Sequence, residues 1–192
     1  MKKYITIFLL LLVTFGYSQI RLTEKLEYKA SDKFKFGVEL EDRIVDRLEY
    51  EHFDFGVSYK LSNRFSLKLN TRIVHEYDSS QVENEFRPHF SVEYKHGKFG
   101  MRKRFELRFK DDELTYRLRN KYFFTQKIRG KFNLYIADEM FIKHNINENR
   151  IYSGILLKDK PLDLLVYYLF DSKKEYEWKH YHIFGVSTRL SF

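Results

Sequence analysis

The sequence predicts an all-β protein: an antiparallel transmembrane β-barrel of ten strands, or twelve if two short strands have merged. Three observations carry this. Apolar and polar residues alternate with a period of two through most of the chain, the pattern of strands whose two faces meet different surroundings. The last segment sets Phe184, Val186, Thr188, Leu190 and Phe192 against Gly185, Ser187, Arg189 and Ser191, and stops on an aromatic residue. The composition is rich in strand formers, with 15 Tyr and 19 Phe, and holds only 2 Pro and 8 Gly.

The amino terminus reads as a targeting segment. Lys2 and Lys3 precede the short apolar run Tyr4 to Phe15, and Gly16 and Ser18 supply small residues before a cut between Ser18 and Gln19. This is the layout of a secretory signal peptide, and the run is short for a spanning helix. Residues 1–18 are therefore expected to be the signal peptide and 19–192 the barrel domain. No second long apolar run exists, which excludes helical spans. The chain has no cysteine, so neither a disulfide framework nor a thiolate metal site is available. Its formal charge of +8 is basic, but no nucleic acid is expected as a partner of an exported chain.

The elements follow in order. Ile20 to Ala30 alternates, with Glu24 on its otherwise apolar face. Phe34 to Leu40, Phe53 to Leu61 and Phe65 to Ile73 follow. Phe86 to Tyr94 leads into the turn at His96-Gly97-Lys98. Phe99 to Phe109 and Leu114 to Phe124 form the central pair. Phe132 to Ala137, Arg150 to Leu157, Leu162 to Phe170 and the final segment complete the series. Tight connections (Ser31-Asp32, Ser62-Asn63, His96 to Lys98, Thr125 to Gly130, Lys158 to Pro161) alternate with more polar, longer ones. The latter are Asp42 to Arg47, Asp78 to Asn84, Lys110 to Asp112, Lys143 to Asn149 and Asp171 to Glu177. That rhythm suits a membrane barrel with short turns on one side and loops on the other. Ile44, Val45 and Leu48 also fit one face of a helical turn.

Hydrocarbon offers no partner to an open strand edge, so a sheet in a bilayer must close on itself. Eleven alternating segments can be counted, and bacterial single-chain barrels normally have an even number. Ten spanning strands are therefore expected, with Ile20 to Ala30 outside the band or in the lumen. Lys103 falls on the lipid-facing phase of its strand. It either snorkels to the headgroups or marks a bulge that changes the phase.

Parity places Arg102, Arg104, Glu106, Arg108, Arg117, Arg119 and Lys121 on the polar phase of the two central strands. Glu139 and Arg150 share that phase, as do Glu39, Glu41 and Glu93. At the arginine rows, and through Glu139 and Phe141, Asn149-Arg150 with Gly154, the Tyr167-Tyr168 strand and the Phe-terminated end, the chain resembles the family called domain of unknown function 2490. The resemblance covers most of the mature chain and implies a small exported protein with an outer-membrane-type barrel. It implies no activity.

The charged phase forms either a lumen held by Arg–carboxylate pairs, whose planar forks match two bonds at a time, or an anion-attracting pore lining. His89 and Ser91 share a face near Glu93, but same-face neighbours on one strand lie ~7 Å apart, too far for a hydrogen bond. His180 and His182 are a thin metal signal beside Tyr176, Trp178 and Tyr181, which suggest an aromatic girdle. No nucleophile elbow, phosphate loop or dinucleotide fingerprint occurs. No catalytic residue, cofactor or metal is assigned. The expected protein is a structural or narrow-pore barrel of the Gram-negative outer membrane. Its expected partners are outer-membrane lipid and, through the strand ending at Phe192, the barrel-assembly machinery. Two alternatives are an outer-membrane lipid hydrolase or deacylase, and a soluble exported lipocalin-like barrel with the apolar phase inside.

Overall fold

The computed structural model describes residues 19–78, 81–111, 113–174 and 176–192. The expected targeting segment, 1–18, lies outside them. Eleven strands follow one another: β1 (Gln19–Lys29), β2 (Phe34–Ile44), β3 (Leu48–Lys60), β4 (Phe65–Tyr77), β5 (Val82–His96) and β6 (Phe99–Lys110). They continue with β7 (Glu113–Arg129), β8 (Phe132–Ile142), β9 (Ile146–Asp159), β10 (Leu162–Lys174) and β11 (Trp178–Ser191). Each pairs with its sequence neighbours, and β1 meets β11 to close the barrel.

The expected count of ten, or twelve, is corrected to eleven. The first segment is part of the wall. In an up-and-down barrel every neighbour is antiparallel, so an odd count leaves the first and last strands running the same way. The β1–β11 seam is accordingly parallel, from Gln19↔Ile183 to Glu27↔Ser191. The Lys29 N–H donates to the Phe192 carbonyl at 2.9 Å, and the Phe192 N–H to the Glu27 carbonyl at 3.0 Å. Both edges are thereby paired, and the sheet has no open edge. The seam also places Gln19 and Phe192 at opposite ends of the cylinder.

The predicted long loops are replaced by longer strands. Only two to four residues separate consecutive strands at either end. Val82 to Glu85, Ile146 to Asn149 and Asp171 to Lys174 belong to strands, because a polar ladder beyond an apolar band still satisfies its backbone. The helical turn considered near Ile44 is likewise strand, bend and strand. At the opposite end, the Ser31 and Ser62 hydroxyls accept the N–H groups of Phe34 and Phe65 at 3.0 and 3.1 Å. Gly97 and Gly130 take the left-handed conformation that their two-residue turns demand.

Parity decides the two surfaces. Phe53, Phe55, Leu69, Phe90, Phe105 and Val166 face outward, each at least 40% exposed, while the alternate Asp54, Ser91 and Glu106 are at most 3% exposed. The inverted arrangement of a soluble lipocalin-like barrel, with an oily centre, is not the one adopted. Lys103 points outward. The β6–β7 register runs unbroken through Lys103↔Asn120, so a bulge does not explain it. Lys103 opens an outer row that departs from the apolar rule: Asn120, Met140, Asn149, Ser172 and His180 follow it in register across β7 to β11.

Inside, two glycines make room for rings. A Cβ on Gly100 would lie 2.1 Å from Cζ of Phe123, its cross-strand partner, and one on Gly185 would lie 2.1 Å from Cζ of Tyr167. Tyr167 joins Ala137, Tyr152, Leu169 and Ile183 in an apolar cluster on the β8–β11 side. The lumen thus has one charged wall and one apolar wall. The sequence reading did not separate them, because Tyr167 and Leu169 share the polar phase of an oily strand.

Candidate functional site in the lumen

The cross-strand register sets like charges against each other. Arg104 faces Arg119, and Arg102 faces Lys121, pairings that destabilise a sheet unless anions intervene. Two carboxylates do so: Glu106 faces Arg117 and Glu139 faces Lys121 in register, and both lie diagonal to Arg119. Glu106, fully buried, takes Arg117 Nη2 and Arg119 Nη1 at 2.8 Å each and Arg104 Nη1 at 3.5 Å. Glu139, 1% exposed, takes Arg119 Nη2 at 2.9 Å, Arg102 Nη2 at 3.0 Å and Lys121 Nζ at 3.8 Å. The Tyr152 hydroxyl donates to its second oxygen at 3.2 Å. Arg119 therefore bridges the two carboxylates, using the fork that a lysine lacks.

The other predicted residues lie in neighbouring clusters. Arg108 grips Glu85 with Nε and Nη2 at 2.7 Å each, and Arg87 binds the same carboxylate from its own strand. Arg150 binds Asp171 at 2.9 Å and also pairs with Glu148. Phe141, 1% exposed, is ringed by the guanidinium groups of Arg117, Arg119 and Arg150, 4.5 to 4.8 Å from its centroid. Such contacts add cation–π attraction where water is excluded. Arg72 binds Asp54 at 2.8 Å and Glu39 at 3.3 Å.

The sequence reading missed Glu85, Glu148 and Asp171 as partners. The first two stand in, or directly after, polar stretches where the alternation lapses, and Asp171 begins another such stretch. Continuing the alternation outward by two positions from Arg87, Arg150 and Leu169 would have found them.

Glu39, Glu41 and His52 bring possible metal-ligand atoms within 4.8 Å of one another. Those carboxylates already hold Lys25, Arg72, Arg21 and Arg43, so the cluster works as an ion-pair node. Ser91 accepts a hydrogen bond from Arg104 Nε at 3.2 Å, and His89 Nε2 lies 3.6 Å from Asp54. His89 and Ser91 are not brought together as base and nucleophile. His180 and His182 lie on the outer phase and bond separately to Ser172 and Tyr168. Trp178 shares their phase, whereas Tyr181 borders the lumen.

A cavity of about 1100 Å³ occupies the lumen, with Lys60 and Lys98 lining one end and Glu76 and Lys173 the other. Fold and interior together define a closed β-barrel with an apolar exterior and an ion-paired, solvent-accessible centre. The chain belongs to the family described as protein of unknown function, DUF2490, whose model matches residues 19–175. No curated protein matches it.

Proposed function

We propose that the protein is a small outer-membrane β-barrel of the Gram-negative envelope, exported on residues 1–18, that acts as a wall protein with a narrow charged passage and without enzymatic activity. The observation that carries this reading is the orientation of the two phases. Phe, Leu and Val rings and chains cover the outside, and paired guanidinium and carboxylate groups line much of the inside. Exposing that apolar surface to water is unfavourable over an area far larger than the patches soluble proteins tolerate, and a bilayer removes the cost. Outer-membrane lipid and the assembly machinery, which would engage β11 and Phe192, are the partners of this reading. Fractionation should recover the mature chain with the outer membrane, and planar bilayers should show small, discrete currents. Recovery in the periplasmic supernatant as a detergent-free monomer would overturn it.

A second reading, a lipid hydrolase, has one observation in its favour. Ser172 Oγ lies 3.1 Å from His180 Nδ1 on the outer wall, within the reach of a nucleophile and its base. Asn149, next in the row, gives its amide to Asp138 at 2.7 Å, and His180 stacks on Phe170. Fatty-acid release from phospholipid that Ser172→Ala abolishes would establish this reading over the first.

A further inference from the structure

The ion pairs of the lumen do not balance on the β4–β8 side. Lys68 and Lys95 share one carboxylate, Glu93, at 3.2 and 2.6 Å. Arg102, Arg119 and Lys121 share Glu139. Among the carboxylates of the described residues Arg104 meets, at 3.5 Å, Glu106 alone, which Arg117 and Arg119 already occupy, while its Nε donates to Ser91. Among the described residues six cations thus stand around three carboxylates, and Glu106 is also held by Arg117. Arg102 faces Lys121 across β6 and β7, and Arg104, on the same face of β6, faces Arg119, so like charges stand beside one another. All six cations line the cavity. The side chains of Lys68 and Arg102 are 30% and 21% exposed, so their heads reach the space and are not sealed in the wall.

Repelling cations held around an enclosed space lower the free energy of any anion that enters, and low-dielectric walls focus that field. Several donors converge from four strands, and they differ in kind. Lysines offer compact point charges and arginines offer planar forks, the combination that suits tetrahedral oxyanions with more than one charge. The cluster lies toward the end that carries the Gly97 turn, where Lys60 and Lys98 border the same cavity.

We propose that this part of the lumen is a binding site for a solute bearing phosphate groups with two or more negative charges, held by Lys68, Lys95, Arg102, Arg104 and Lys121. The proposal rests on the reading that the lumen admits solute. Glu93 and Glu139 then act as resident counter-ions that hold the repelling cations in place until the anion arrives. The ligand's oxygens replace the missing carboxylates.

Isothermal titration of the mature barrel in detergent with inorganic pyrophosphate tests this, with heat-modifiable gel mobility as the check that each protein is folded. The expected result is saturable binding that weakens about tenfold or more in Arg102→Gln and in Lys68→Gln, the loss of one charge-assisted contact. Lys103→Leu, on the outer wall, should bind as the native chain does. If Arg102→Gln fails to form the barrel, the more exposed Lys68→Gln carries the test. Absence of binding by the folded native barrel, or equal binding by the folded variants, overturns the site. Binding without bilayer current keeps the site and removes the passage, whereas current without binding does the reverse.

Discussion

Replacing Glu139 with glutamine removes one negative charge from the most heavily shared position in the barrel. The carboxylate is 1% exposed and serves Arg102, Arg119 and Lys121 at 3.0, 2.9 and 3.8 Å. Glutamine keeps the volume and one acceptor oxygen, so packing changes little. What changes is that three cations lose their common counter-ion, and Arg104 and Arg119, facing each other across β6 and β7, keep Glu106 alone. Removing one partner of a buried ion pair costs about 3–5 kcal/mol, because the remaining charge stays desolvated. The expected loss lies in that range. Pairing the change with Arg119→Gln should recover part of it, with a coupling of about 0.5–3 kcal/mol for residues in one network. Urea unfolding of the barrel from lipid vesicles measures both, read by the fluorescence of the single Trp, Trp178. A loss below ~1 kcal/mol for Glu139→Gln, or strict additivity in the double variant, would refute the argument that this carboxylate neutralises several cations at once.

Other consequences follow from the outer wall and the seam. Lys103→Leu should stabilise the membrane-embedded barrel by up to ~2–4 kcal/mol if the residue sits near mid-bilayer, and by little if it sits near a headgroup layer; the same urea titration reads it. Gly100→Ala should destabilise, since the new Cβ meets the Phe123 ring at 2.1 Å, and the double variant with Phe123→Ala should regain stability. Cysteines introduced at Leu22 and Val186, which are register partners across the parallel seam, should cross-link in the folded protein alone. Deletion of Gln19–Lys29 should abolish heat-modifiable mobility, because it opens two strand edges at once.

Much of the wall was legible in the residues, and the reasons are local. Phe53 to Leu61 or Leu162 to Phe170 declare their faces because two environments act on alternate positions. Strand ends were not legible. Past the apolar band both phases turn polar, as at Asp171 to Lys174, and alternation falls silent while the backbone ladder continues. β1 is the least legible strand, because Glu24 interrupts its apolar face and because including it makes the count odd. Its inward Arg21, 2% exposed and 3.6 Å from Glu41, and Lys25, 2.6 Å from Glu39, tie it to the lumen. Lys103 posed a question that register alone could answer. In the lumen, parity found the arginines, but it could not assign which carboxylate each one binds. That choice depends on diagonal contacts between strands, such as Arg119 to both Glu106 and Glu139.

Which phase of each strand meets hydrocarbon decides whether this barrel belongs in a membrane. The chain has no native cysteine, so single spin labels can be placed at successive positions from Leu164 to Phe170 and their collision rates with oxygen and with a polar nickel complex compared in lipid vesicles. Positions 164, 166, 168 and 170 should be oxygen-accessible and 165, 167 and 169 should not, in strict alternation. A uniform profile, or high polar-reagent access at Val166, would contradict the claim that this face lies in the membrane.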